Sequence, residues 1–132
     1  MLKGFEKYTE NLTEYEKKVM LGLFIVSMRA KVGKDSAIKS GKIVQDLKDR
    51  DIARGESKYA KVNEQRVKKV LSYIRINNLV PGLMATQDGY FVAATQADLE
   101  GYISSLTSRV NAINALIETA IKNHASMGGR LF

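Results

Sequence analysis

Residues 63–94 (NEQRVKKVLSYIRINNLVPGLMATQDGYFVAA) leave the backbone few choices. Val67, Val70, Leu71 and Ile74 recur at helical spacing and draw one apolar stripe that a helix must bury. Asn63 fits the N-cap, where a short polar side chain accepts a free backbone N–H, and Glu64 suits the positive end of the helix dipole. The stop is as explicit as the start. Asn78 can take the left-handed conformation that ends a helix, Leu79 can fold back apolar surface, and Pro81 cannot continue the helix. Residues 83–86 and 90–94 then read as short strands around Gln87-Asp88-Gly89, because glycine tolerates the positive φ of a tight turn. The expectation is one helix, a hard stop and a two-stranded hairpin.

The far side of this helix carries Gln65, Lys68, Lys69 and Ser72, with Arg66 and Arg75 on its flanks. Charge elsewhere gives that face a context. The chain has a formal net charge of +7. Residues 1–62 hold 14 Lys/Arg against 9 Asp/Glu, residues 63–94 hold 4 against 2, and residues 95–132 hold 3 of each. A charge serving only solubility has no reason to avoid the last third, so the asymmetry points to a polyanionic partner near the Asn63 helix.

Upstream, residues 1–12 read as a flexible polar segment. Thr13 and Glu16 form a capping box, each able to satisfy a free N–H of the other, and a first helix should run to about Lys31. Its middle, residues 19–26, is apolar on every side, which predicts a rod buried all round at the centre of the core. Gly22 within it predicts a close helix–helix approach. Ala37-Ile38 suits a very short strand along the hairpin. Ser40 suits the cap of a short second helix with Ile43, Val44 and Leu47 inward. Residues 48–61 mix charges, contain Gly55 and lack an apolar period, so we expect an exposed loop between the second and third helices. In the hairpin, Tyr90 and Val92 point one way and Phe91 and Ala93 the other, with the core side left open.

Downstream, Thr95 and Asp98 suit another helix start. Leu99, Ile103, Leu106, Val110, Ile113 and Ile117 follow at alternating spacings of four and three, a heptad seam. The helix is expected over 95–123, with a frayed tail over 124–132. The seam can pack on the first helix or zip against a second copy; a homodimer is the favoured expectation, because the fold upstream is complete by about residue 95. The division is thus 1–12, 13–94, 95–123 and 124–132.

The helix ending in Tyr73-Ile74-Arg75, then Asn78-Leu79, then Gly89-Tyr90-Phe91-Val92, with a long helix after it, resembles small phage- and prophage-type winged helix-turn-helix proteins. The resemblance covers roughly 13–123. It implies a mainly α fold with a small β-hairpin wing and a recognition helix, 63–77, placed in a major groove of double-stranded DNA. The chemistry of the side chains is compatible: Gln65 suits an adenine edge, and Lys68 or Lys69 a guanine edge or phosphate. Asn63 and Arg66 suit phosphates, Ser72 lies one turn further along, and Arg50, Arg54, Lys58 and Lys61 suit further backbone contacts. The implied role is a regulator of transcription or replication in a phage or mobile element.

Other classes fit less well. There is no Gly-rich phosphate loop and no nucleophile–His pairing, so an enzyme is not expected. With no cysteine and a single histidine, His124, neither a metal nor a cofactor is expected. The longest apolar run, 19–28, is far shorter than the ~20 residues that span a bilayer, and a cytoplasmic location follows as an expectation. The rival reading is a winged-helix module that docks on a host or replication protein. The acidic Asp88 at the hairpin tip favours it and the Lys68-Lys69 face opposes it.

Overall fold

In a computed structural model, residues 11–131 are described, with side chains as far as Gly128. The protein is mainly helical with one small antiparallel hairpin. A π-helical stretch, Glu16–Leu21, runs directly into an α-helix, Gly22–Arg29, and the two together are α1. A 3-10 turn at Lys34–Ser36 leads to α2, Ser40–Arg54, and α3, Glu64–Ile76. Strands β1, Leu83–Thr86, and β2, Gly89–Val92, precede α4, Gln96–Leu131. The chain divides into two compact units, 1–95 and 96–132.

The local signals act as their chemistry demands. The Thr13 N–H donates to Glu16 Oε1 at 2.9 Å, and the Glu16 N–H donates to Thr13 Oγ1 at 3.2 Å. Asn63 Oδ1 accepts the Arg66 N–H at 2.8 Å and caps α3. At the other end Asn78 has φ 55°, and the Leu79 N–H returns to the Ile74 carbonyl at 3.0 Å. Val67, Val70, Leu71 and Ile74 are all fully buried, so α3 is the centre of the core.

That centre was expected in α1. Instead α1 is one-sided: Glu16, Met20, Phe24 and Met28 face inward, whereas Val26 is 68% exposed. Gly22 is exposed and has nothing near the position of a Cβ, so it marks no helix–helix approach. The wide π turn accounts for the inward row. Steps of four residues drift around an α-helix of 3.6 residues per turn, and a turn closed by i→i+5 bonds winds the drift back.

Residues 48–61 are not an open loop. α2 continues to Arg54 and is closed by Gly55 in the left-handed conformation. Asp51 is buried and its Oδ2 accepts the Tyr59 N–H at 2.7 Å, while Tyr59 and Val62 enter the core. Ser40 is the first residue of α2 rather than its cap; the N-cap is Lys39, which supplies no side-chain hydrogen bond. Ser40 Oγ instead donates to Glu64 Oε1 at 2.9 Å, tying α2 to α3.

The hairpin pairs Leu83 with Val92, Met84 with Phe91, Ala85 with Tyr90 and Thr86 with Gly89. Leu83 belongs to the core cluster and Tyr90 and Val92 pack against it, so theirs is the face turned to the core; Met84 and Phe91, on the opposite face, are buried outside that cluster. The other edge of β2 meets the α1–α2 connection through bridges Ile38–Tyr90 and Val32–Val92, so the short strand expected at Ile38 is present as a bridge. Gly89, with φ 117°, has a second role there. A Cβ on it would stand 2.5 Å from the Ile38 carbonyl carbon and oxygen. Only a residue without a side chain lets that backbone pair close.

α4 runs to Leu131, so the frayed tail expected over 124–132 is helical as far as Leu131. The flexible segment expected over 1–12 lies mostly outside the described residues, but Leu12 is buried. Among the described residues no helix is long and apolar enough to cross a membrane.

Candidate nucleic-acid interface

The basic residues around α3 separate onto two flanks. On one, Lys69 Nζ lies 2.9 Å from Glu16 Oε1 and Arg66 NH1 lies 3.8 Å from Glu16 Oε2. Glu16 is only 2% exposed. Burial alone would raise its pKa, but the Thr13 backbone N–H and the Lys69 ammonium outweigh burial and hold it below the ordinary 4.5. The carboxylate is therefore ionised at neutral pH and needs its cations. Tyr15 completes this flank, with Arg66 at 5.4 Å and Lys61 at 5.7 Å from its ring and its hydroxyl donating to the Lys58 carbonyl at 2.8 Å. The sequence pattern placed Lys69 on an open face; the structure commits it, with Arg66, to holding α1 against α3.

The other flank is open. A groove of about 570 Å³ runs between the start of α2, the first turns of α3 and the hairpin, lined by Lys39, Lys42, Glu64, Lys68, Thr86 and Gln87 among others. Lys39 and Lys68 are exposed and form no ion pair among the described residues. Lys42 holds Asp46 at 2.8 Å, and this hydrogen bond raises the lysine pKa. Glu64 is the groove's carboxylate, and Ser40 occupies one of its oxygens. No side-chain hydrogen bond caps α2, but the Glu64 carboxylate lies 3.6–4.0 Å from where a Cβ on Gly41 would stand and so faces the positive end of the α2 dipole. Arg75, 6.0 Å from the Tyr90 ring, links α3 to the hairpin beside the groove.

The remaining expected contacts are dispersed. Asn63 and Gln65 are exposed at the start of α3. Ser72, 9% exposed, is buried in the fold and presents no contact surface. Arg50 lines a separate cleft of about 190 Å³ with Phe24, Met28 and Lys31. Arg54 is exposed at the end of α2, and Lys58 lies over its neighbour Tyr59 at 5.8 Å. Lys39 and Lys42 escaped the sequence reading. Their signal was the run Lys39-Ser40-Gly41-Lys42, a helix start flanked by cations with a glycine inside it.

On α4, Leu99, Ile103, Leu106, Val110, Ile113 and Ile117 are exposed, and so are Leu116 and Ile121. No group of three or more His, Cys, Asp or Glu among the described residues could hold a metal ion. No family model, curated protein or solved structure gives a significant match to this chain.

Proposed function

We propose that the first unit is a winged helix-turn-helix that binds double-stranded DNA, with α3 as recognition helix and the hairpin as wing. The reading rests on one observation above the others: Lys39, Lys42 and Lys68 line one groove beside the start of α2. Lys39 and Lys68, with Lys42 shared between Asp46 and the groove, suit a run of phosphates. Gln65 and Lys68, exposed at the start of α3, are the residues positioned to read base edges. Lys69, Arg66 and Ser72 leave the contact set. The role is control of transcription or replication in a phage or mobile element, and a homodimer through the α4 seam presents two recognition helices to a two-fold site.

The experiment is titration of labelled duplex at about 50 and 200 mM salt. The expected result is micromolar or tighter affinity at low salt that collapses at the higher, and loss of binding in Lys39→Glu/Lys68→Glu. Absence of binding at the lower salt would overturn the reading. A second reading, a module that docks on another protein, is favoured by the hairpin tip, where the acidic Asp88 lies 3.8 Å from Lys34. It predicts no dependence on the groove lysines for duplex binding.

A further inference from the structure

α4 is long, amphipathic and apolar on a face left exposed, and its pattern specifies what covers it. Setting Leu99 as position d of a heptad makes Ile103, Val110 and Ile117 position a, and Leu106 and Ile113 position d. The a positions Ile103, Val110 and Ile117 are all β-branched, and of the d positions Leu99, Leu106, Ile113 and Ala120 two are leucine, a combination that favours two parallel strands. His124 is the polar residue at a later a position, and a polar a residue fixes register.

The second observation lies off the seam. Beside the seam, which Met127 continues at a later d position, the large apolar side chains exposed on the described part of α4 are Leu116, 70% exposed, and Ile121, 62% exposed. They occupy positions g and e and are five residues apart. In a parallel, in-register pair, g of one helix meets the e that follows it by five on the other, so Leu116 of each copy covers Ile121 of its partner on both sides of the seam. An antiparallel pair sets e against e and g against g and parts them. The charged residues at e and g, Glu100 and Arg109, meet no like charge in the parallel pair.

We propose that α4 pairs with α4 of a second copy as a parallel, in-register two-stranded coiled coil, flanked by reciprocal Leu116–Ile121 contacts. This rests on the homodimer reading above and fixes its orientation; it does not depend on DNA binding.

The test uses the full chain. Sedimentation equilibrium should give twice the 14.7 kDa chain mass. Leu116→Glu should raise the dissociation constant about tenfold or more. Adding Ile121→Lys should recover most of that loss, because the new charges meet only in the parallel pair. Since the chain has no cysteine, Leu99→Cys and Ala120→Cys should each cross-link to their own kind under oxidation. A monomer at every concentration, or a trimer, overturns the dimer and its geometry together. A dimer in which Ile121→Lys gives no recovery and neither cysteine variant cross-links overturns the orientation alone.

Discussion

Lys68 and Lys69 are neighbours in sequence with the same chemistry, and the fold gives them opposite work. Lys69 is half-buried and grips a carboxylate that would otherwise be stranded in the core. Lys68 stands in an open groove with two further lysines. One flank of α3 holds the first unit together; the other offers charge to something outside it. A basic face on a helical wheel is therefore not one object. What decides each cation's role is whether an acidic group lies behind it.

The largest effect should come from the groove flank's own foundation. Gly89→Ala forces a Cβ against the Ile38 backbone at a φ of 117°, and we expect a loss of about 3 kcal/mol or more in denaturant unfolding. If that variant unfolds like wild type, the Ile38–Tyr90 pairing does not hold the hairpin in place. Next comes the closed flank. Glu16→Gln leaves Lys69 and Arg66 without their counter-charge, and because those cations are only partly buried the cost should be about 1–3 kcal/mol.

Acid should sharpen the same contrast. The folded pKa of Glu16 lies below its ordinary value, so its stabilisation is complete above that value and is lost as pH falls through the folded pKa. The stability gap between wild type and Glu16→Gln should narrow as pH falls below the ordinary 4.5 and through the folded pKa. A gap that stays constant across that window would mean that the Glu16 charge contributes nothing.

Smaller still is the expected response to neutralising Lys68. Lys68→Gln should weaken duplex binding by about 1 kcal/mol and reduce the salt slope by about 0.9, while unfolding stays within about 0.5 kcal/mol of wild type. Lys69→Met should invert that pattern, losing stability and leaving the salt slope unchanged. Equal behaviour of the two variants in both assays would erase the distinction between the flanks.

How far this was legible in the sequence depends on the reach of each interaction. Thr13 with Glu16, Asn63 with the Arg66 N–H, and Asn78 at its turn all act within three or four residues, so their partners can be read from spacing. Asp51 could not be read in this way. It continues the inward row of Ile43 and Leu47, but an aspartate looks like the end of an apolar stripe unless one knows that the Tyr59 N–H, eight residues on, will satisfy it. The Lys69–Glu16 pair spans 53 residues and leaves no local trace. Gly89 was identified for the right conformational freedom, yet the close approach of Ile38 that requires it comes from another part of the chain. In α1 an all-round apolar run suggested all-round burial, and only the packing shows that Val26 faces outward.

The wide turn at Glu16–Leu21 makes length the forgiving variable at that point. At about 100° per residue, five α-helical residues wind roughly as far as six in a turn closed by i→i+5 bonds, so removing one residue there would let the bonds re-close in the ordinary i→i+4 pattern with both flanks facing nearly as before. The same deletion elsewhere in α1 would turn everything before it by about 100° and carry Glu16 away from Lys69. For anyone aligning or redesigning this chain, a one-residue gap belongs between 16 and 21, where the fold can take it up.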